Sequence, residues 1–284
     1  MSGQCKLFIL TSLILLAGCE HQDSISYLKA DTANVNDTVG PLPQDLVLDG
    51  VKYNLGELVG EGTMGRIYRV TSVNPAQSSQ WVVKVPFIND ISREKNETEF
   101  LQRSATQLRS DVRLHNGLNQ AGISEVQAKY SDNNAVLFKT FVEGLEDYGD
   151  FLFDSSQAVP DGYAEALGKL IGGLSLNKLR VNDLTPENMV FVQGSKKLEI
   201  IDGGLSKAFF KNSQTALDHY LANFKYALFN LNDEQAFAFL KQLNMFLERF
   251  ETREDDLRGV YNRIQKLYES EFDKPDSLFL KNCL

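Results

Sequence analysis

The spacing of apolar residues changes once along the chain, near Gly144. From Leu46 to that point, the stretches KYNLGELVGEG, GRIYRVTSV and QWVVKVPF are rich in β-branched and aromatic residues, which favours strands. Residues 91–118 then carry apolar side chains at helical intervals. Two further strand-like stretches, SEVQAKYS and NAVLFKTFVEG, are joined by the turn-prone DNN. The pattern predicts the order β-β-β-α-β-β.

Beyond Gly144 the apolar spacing is mainly helical. Stripes at intervals of three and four residues predict helices over residues 164–174, 217–228, 239–247 and 257–267. Two short strands, MVFVQ and KLEII, are predicted on either side of GSK. Asn232 and Gln235 have the spacing of an N-cap pair for the third helix. We interpret the stripes as core-facing surfaces, and the whole pattern predicts an α+β fold.

Composition narrows the range of partners. The 284 residues are 43% hydrophobic and 24% charged, as in an ordinary globular protein. The net charge is −9, and an acidic surface argues against nucleic acid as a partner, because phosphate neutralisation needs basic residues. The three histidines (His21, His115 and His219) are scattered and no Cys-x-x-Cys pair occurs, so we expect no structural metal site.

The N-terminus differs from the rest of the chain. Lys6 precedes the apolar run LFILTSLILLAG, which ends at Cys19. That run is shorter than the roughly 20 apolar residues that span a bilayer, and it has the length of a secretory signal. Its ending, Leu-Ala-Gly-Cys, resembles the lipobox of bacterial lipoproteins, which implies lipidation of Cys19. The alternative is a buried helix with a chance cysteine.

This resemblance implies where the protein resides. Residues 1–18 would be a lipoprotein signal peptide, and the polar residues 19–45 a flexible tether. The folded part would then be held on a bacterial membrane through Cys19, facing the periplasm or the exterior. Because ATP is scarce there, delivery of the protein to another cell is an alternative, and the sequence leaves open which membrane is used.

The stretch GEGTMGRIY places Gly60, Gly62 and Gly65 in a G-x-G-x-x-G pattern. A dinucleotide-binding turn needs such glycines between a strand and a helix, whereas here a strand-like run follows. A glycine loop between two antiparallel strands is also consistent with a plain hairpin or with a flap over phosphates. Lys84 follows on the third predicted strand. Taken alone, Lys84 is equally consistent with a solvent-facing lysine on an edge strand.

Two further stretches carry polar residues among apolar ones. VNDLTPENMVF contains Asp183 and Asn188, and LEIIDGG contains Asp202. Such residues commonly cap turns between strands. They are also the oxygen donors that bind Mg²⁺ and orient a hydroxyl.

Taken in order, these motifs resemble those of the protein kinase superfamily over roughly residues 50–210, and small bacterial effector kinases are the most similar. The resemblance implies a two-lobed kinase-like fold, with an N-lobe of antiparallel sheet and one helix at 46–143 and a reduced, mainly helical C-lobe at 144–284. It also implies that ATP and Mg²⁺ are cofactors.

The resemblance assigns roles to individual residues. Asp183 would accept or orient the substrate proton, and Asn188 and Asp202 would bind Mg²⁺. Lys84 would hold the α and β phosphates. The remaining nucleotide-binding positions would be the loop residues Gly60, Gly62, Thr63 and Gly65, the helix residue Asp111, and Thr140 and Val142 in the adenine-binding hinge.

The resemblance also predicts the surroundings of Lys84, Asp183 and Asp202. The partner of Lys84 would be an acid on the following helix, and Asp111 is preferred over Glu97 for that place. We also expect Asp183 and Asp202 to lie in an open cleft, so that either can be replaced without loss of the fold.

Several positions depart from the kinase pattern. Val181 and Asn182 replace the usual His-Arg, which makes a phosphorylation switch in the activation loop doubtful. Gly203 replaces the phenylalanine of D-F-G, and no A-P-E follows. Asp218 has two interpretations, a brace for the catalytic loop or a surface acid.

The leading hypothesis is an ATP- and Mg²⁺-dependent phosphotransferase that acts on serine or threonine hydroxyls of a protein substrate. The terminal helices carry no concentrated acid cluster, which favours protein substrates over small molecules. Three alternatives stay open: a small-molecule kinase, a non-catalytic pseudokinase that binds a nucleotide or a partner, and an enzyme that transfers AMP.

Overall fold

A computed structural model describes residues 46–62, 65–74, 80–86, 97–144, 159–185, 188–251 and 257–272. The predicted signal peptide and tether, including Cys19, lie outside the described residues, as does Thr63. The described part combines an antiparallel sheet with six helices, so the α+β prediction is confirmed. None of the helices in these ranges is long and apolar enough to cross a bilayer.

The main sheet has six strands, all paired antiparallel, in the order β1-β2-β3-β4-β6-β5. One face buries an apolar cluster that includes Tyr53, Tyr68, Val83 and Phe138. The strands are β1 (Leu46–Leu48), β2 (Val51–Gly62), β3 (Gly65–Ser72), β4 (Trp81–Pro86), β5 (Ala128–Ser131) and β6 (Val136–Thr140). The five predicted strands are confirmed, and β1 is an addition too short to produce a periodic signal.

Helix α1 (Glu97–Gln120) connects the sheet to the second half of the chain. Its Leu108 packs on Ala128 and Leu137 of the sheet. One and a half turns later, Leu114 and Leu118 are fully buried in the helical core instead. The apolar stripe predicted from the sequence therefore contacts two different cores along its length.

The helical core is formed by α2 (Tyr163–Leu176), α3 (Ser213–Asn223), α4 (Lys225–Phe229), α5 (Asp233–Leu247) and α6 (Leu257–Phe272). The first predicted terminal helix is divided at Phe224 into α3 and α4. Asn232 and Gln235 form the predicted capping box, because each side chain bonds the backbone of the other.

Helices α2 and α5 approach each other closely at Gly168. A Cβ at that position would lie 2.6 Å from the carbonyl oxygen of Phe239, so only glycine allows this separation. The close approach lets the apolar faces of both helices, including Ile171 and Leu243, become completely buried.

Two small ladders lie beside these helices. Strand β8 (Met189–Val192) pairs with β9 (Lys197–Ile200), as MVFVQ and KLEII predict. Strand β7 (Val181–Asn182) pairs with β10 (Gly204–Leu205). The second ladder brings together the two stretches that carry Asp183 and Asp202.

Candidate functional site

The side chains of Lys84 and Asp202 meet at the end of the main sheet. Lys84 Nζ lies 2.5 Å from Asp202 Oδ2, and both residues are buried. Lys84 is held on β4 by pairing with Ile67 of β3 and Leu137 of β6. Asp202 lies two residues after the end of β9. The arrangement joins a sheet residue to one that lies 118 positions later in the chain.

The environment of Asp202 keeps its carboxylate ionised. Burial alone would raise the pKa of Asp202, but the charges of Lys84 and Lys139 outweigh it. Hydrogen bonds from Lys84 and from the Gly203 amide act in the same direction, so the pKa of Asp202 lies well below its usual range. An anionic oxygen donor is therefore maintained at neutral pH.

Asp111 has a different partner from the predicted one. Its Oδ2 atom lies 3.2 Å from Lys139 Nζ, and its Oδ1 atom lies 3.1 Å from His115 Nε2 without an aligned hydrogen bond. The prediction that Asp111 pairs with Lys84 is thus wrong. Lys139 of β6 lies between α1 and Asp202, and it is the partner of Asp111. Glu97 begins α1, and its side chain lies outside the described residues.

Lys139 is buried where sheet and helix meet. Its Nζ donates to the carbonyl oxygen of Ile201 and lies 3.9 Å from Asp202 Oδ1. Burial lowers the pKa of Lys139, but the charges of Asp111 and Asp202 more than compensate, so the pKa is raised. Two lysines therefore flank Asp202.

Asn188 and Asp183 lie next to this cluster in one tight turn. Asn188 Nδ2 donates to Asp183 O over 2.8 Å, and Asn188 O accepts from Ile201 N over 2.8 Å. These bonds place Asn188 directly beside the segment that carries Asp202. In the described part of the chain Asn188 Oδ1 accepts no hydrogen bond, so it remains available to a ligand.

Asp183 has the opposite character to Asp202. It is exposed, and its backbone has a φ of 57°, a left-handed conformation that aspartate tolerates better than most residues. Its carboxylate contacts no partner among the residues that the structure describes. The expectation of an open position holds for Asp183, but it is wrong for Asp202, which is only 8% exposed.

A buried tyrosine braces the strand that leads to Asp183. Tyr220 Oη donates to Leu179 O over 2.6 Å and accepts from Val181 N over 3.2 Å. Burial raises the pKa of Tyr220 to about 12, so it stays protonated and can donate. Asp218 does not brace this loop: it forms an ion pair with Arg263 and accepts from Gln214.

Gly203 has a backbone conformation that explains its departure from D-F-G. Its φ is 136°, which L-residues rarely adopt, and a Cβ there would lie 3.0 Å from Asn182 O. The close approach accompanies the pairing of Gly204 with Asn182. The next residues are also fixed, because Ser206 N donates to Arg180 O and Phe210 N donates to Lys178 O.

The glycine-rich stretch forms the two arms of a hairpin. Gly60 of β2 is opposite Ile67, and Gly62 is opposite Gly65. A Cβ at Gly65 would lie 3.0 Å from Val85 O and 3.1 Å from Lys84 Cγ. Glycine at this position therefore leaves the space that the Lys84 side chain crosses.

An apolar cleft opens beside the polar cluster. The predicted hinge residues Thr140 and Val142 line it together with Lys139. The remaining lining residues come from β2, β3, β4, β8 and the connections around them: Val59, Ile67, Val82, Val126, Phe141, Val190 and Ile201. An apolar cleft with a few polar groups at one end is typical of a site for a planar organic ligand.

The donor set is compatible with a hard cation. Asp202 supplies an ionised carboxylate, and Asn188 supplies an amide oxygen that accepts no hydrogen bond from the described residues. Mg²⁺ bound with a nucleotide takes most of its ligands from phosphates and water, so two protein oxygens are sufficient. In the described ranges no group of three or more His, Cys, Asp and Glu side chains is arranged to hold a metal.

Sequence reasoning missed Lys139 and Tyr220. The only signal for Lys139 is a charge in the otherwise apolar VLFKT, at a position that alternation puts on the buried face. Tyr220 belongs to a helical stripe, where an aromatic residue predicts a core position and nothing about its hydroxyl.

The chain resembles known protein kinases in sequence. It is 27% identical to serine/threonine-protein kinase 36 of Pongo abelii and of Mus musculus, in each case over 168 residues. The match covers 57% of this chain but only 12% of either relative. No family model matches the chain. The similarity supports a kinase-like transferase at a coarse level.

Proposed function

We propose that the chain is an ATP- and Mg²⁺-dependent phosphotransferase that acts on serine or threonine hydroxyls of a protein. The observation that carries the proposal is the convergence of Lys84, Asp202, Asn188 and Asp183 beside one apolar cleft. The distant similarity to serine/threonine kinases supports the same chemistry.

The proposed architecture has two lobes. The six-stranded sheet with α1 would be the N-lobe, and helices α2 to α6 the C-lobe. Its support is that residues from both groups line the cleft, Val59 and Val82 from the sheet and Val190 and Ile201 from the β8–β9 region. The boundary near Gly144 is part of this proposal.

Each side chain has a role that its position permits. Thr140 and Val142 present backbone groups to adenine, and the hairpin of Gly60, Gly62, Thr63 and Gly65 covers the phosphates. Lys84 binds the α and β phosphates as a point charge. Asp202 and Asn188 hold Mg²⁺, which supplies charge neutralisation to the triphosphate.

Asp183 orients the acceptor. Its exposed carboxylate would accept a hydrogen bond from the substrate hydroxyl and take up the proton as the oxygen attacks the γ phosphorus, while the bond from that phosphorus to the β–γ bridging oxygen breaks and ADP leaves. The bond from Asn188 Nδ2 to Asp183 O fixes the distance between the hydroxyl-binding and metal-binding residues. The chain's own contribution is thus mainly positioning and electrostatic stabilisation.

The N-terminal motif adds a location to the proposal. Lipidation at Cys19 would attach the folded part to a bacterial membrane through residues 19–45. Metabolic labelling with a fatty acid tests this: a Cys19→Ser variant should lose the label and leave the membrane fraction. Label retained in that variant would contradict the proposed anchor.

Incubation of the purified chain with γ-labelled ATP tests the reaction. Transfer should depend on Mg²⁺ and should be lost in Asp183→Asn. It should persist in Lys129→Met, which replaces an exposed lysine of the main sheet outside the candidate site. Protein and amino-sugar acceptors, run in parallel, separate the two substrate classes. Mass spectrometry of the product distinguishes a phosphoryl group from the larger adenylyl group.

Nucleotide binding separates an enzyme from a non-catalytic module that binds only a partner, and the transfer assay separates it from a module that binds nucleotide. A ligand present at 100 times its Kd stabilises a protein by about 2.7 kcal/mol. Mg-ATP at millimolar concentration should therefore raise the melting temperature. No stabilisation and no transfer to any acceptor would overturn the proposed function.

A further inference from the structure

Lys139 is not part of the kinase pattern, yet its side chain contacts several elements around the candidate site. It lies on β6 opposite Val82 and Ala128, and it is 5% exposed. Its ammonium group reaches Asp111 on α1 and the carbonyl oxygen of Ile201 just before Asp202. It therefore joins a helix, a sheet and the metal-binding segment.

The contacts of Lys139 are directed at the protein rather than at a ligand. An ammonium group has three N–H donors. Two are used by Asp111 Oδ2 and Ile201 O, and Asp202 Oδ1 lies 3.9 Å from the nitrogen. Both hydrogen bonds of the ammonium group among the described residues are thus made to the protein's own acceptors.

The backbone of the segment that carries Asp202 is held at Ile201 and Asp202, in addition to the ion pair of the Asp202 side chain with Lys84. Its backbone amides at Ile201 and Asp202 donate to the single carbonyl oxygen of Asn188, over 2.8 Å and 3.4 Å. The Ile201 carbonyl group points the other way and meets Lys139. The backbone of the segment is thus held by Asn188 through its amides and by Lys139 through the Ile201 carbonyl oxygen.

We infer that Lys139 is a positioning residue, which fixes the Ile201–Asp202 backbone so that the Asp202 carboxylate faces Mg²⁺, and which couples α1 to it through Asp111. The metal-binding part of this inference rests on the proposed function. Because Asp111 engages Lys139, the partner of Lys84 in the structure is Asp202.

Three variants separate positioning from mere stability. Lys139→Met alone leaves the buried Asp111 carboxylate without its partner, which destabilises the fold whatever else Lys139 does. The double variant Asp111→Asn/Lys139→Met removes both charges and avoids that problem. Asp111→Asn alone removes the same helix charge but keeps the contact from Lys139 to Ile201 O. Lys129→Met is the control, because it removes an exposed lysine of the edge strand β5 that pairs with Asp49.

Hydrogen exchange of the full chain without ligands tests the positioning independently of enzymatic activity. The peptide that covers residues 198–206 should exchange about tenfold faster in the double variant, and by less than about threefold in Asp111→Asn and Lys129→Met. The peptide of α2 serves as internal reference for global unfolding. Unchanged exchange at 198–206 in a folded double variant would overturn the inference even if the protein is an active kinase.

The Mg²⁺ requirement tests the consequence for the metal. In the double variant, the Mg²⁺ concentration for half-maximal transfer should rise about tenfold, whereas KM for nucleotide at saturating Mg²⁺ changes by less than about threefold. An equal shift in Asp111→Asn would contradict the role of Lys139. If the unmodified chain transfers no phosphate, the proposed function fails, but the exchange result still decides whether Lys139 positions the segment.

Discussion

The hydroxyl group of Tyr220 fastens α3 to the strand that precedes Asp183, through a 2.6 Å bond to Leu179 O and a 3.2 Å bond from Val181 N. Tyr220 itself is fully buried. A helix in the second half of the chain thereby sets the position of an exposed aspartate that it does not touch.

Replacement of Tyr220 by phenylalanine should weaken both stability and transfer. The change leaves Val181 N and Leu179 O without their partner, which costs about 1–3 kcal/mol for buried groups. Denaturant unfolding measures this loss, and kcat should fall more than KM rises. Tyr226→Phe, which removes an exposed hydroxyl bonded to Glu271, should change stability by less than about 0.5 kcal/mol. Equal stability of the Tyr220 variant would contradict the bracing role.

Asp183 and Asp202 should respond differently to removal of their charge. Asp183→Asn should lower kcat by about 10²–10⁴-fold with an unchanged melting temperature, because the side chain is exposed and has no partner within the ranges that the structure describes.

Asp202→Ala should abolish transfer and also destabilise the fold, because two buried lysines lose their counter-charge. Calorimetry of both variants beside the kinetic assay separates the two effects. A melting temperature unchanged in Asp202→Ala would show that the buried charge cluster is less important than its geometry indicates.

Glu199 should make stability depend on pH in the opposite sense to most acids. It is buried on β9 and accepts 2.5 Å from Ser124 Oγ, and burial raises its pKa above the ordinary value of 4.5 despite that bond. Since the folded state binds this proton more tightly than the unfolded state, Glu199 lowers stability as the pH rises from 4.5 through the raised pKa. Glu199→Gln should therefore be at least as stable as the unmodified chain at pH 7, and the difference should vanish in acid.

Glu125 provides the control for this comparison. Its hydrogen bond and ion pair with Lys197 lower its pKa, so its contribution to stability is lost as the pH falls. Glu125→Gln should thus flatten the acid side of the stability profile rather than raise the neutral side. Urea unfolding between pH 4 and 8 measures both; a Glu199→Gln variant less stable at neutral pH would refute the assignment.

Gly168→Ala should loosen the contact between α2 and α5. The added methyl group would lie 2.6 Å from a backbone oxygen, and overpacking of this kind costs about 1–3 kcal/mol, partly offset by the better helix propensity of alanine. Gly194→Ala is the control, since nothing lies within 4 Å of a Cβ there. Thermal unfolding should show a lower midpoint for Gly168→Ala only.

The elements that the sequence predicted are those with a strong local period. Strands β2 to β6 and the capping box at Asn232 follow from alternation and cap spacing within a few residues. The ladder of β7 and β10 was missed because two-residue strands have no period, and their pairing depends on the approach of Gly203 to Asn182.

The partners of the site residues were harder to predict than the residues themselves. The spacing of Asp183, Asn188 and Asp202 is visible in the sequence, but the choice of Asp111 between two lysines is decided by which strands α1 packs against, since both lysines lie on one face of the sheet and α1 packs on β5 and β6. Lys84 and Lys139 lie on adjacent strands, β4 and β6, and only the packed structure shows that Asp111 faces the second.

The backbone bonds from Ser206 and Phe210 to Arg180 and Lys178 have a consequence for control of the protein. These two bonds already hold the backbone at residues 206 and 210 against residues 180 and 178. A phosphate group is therefore not needed to order these two points of the segment, in contrast to activation loops that become ordered only on phosphorylation.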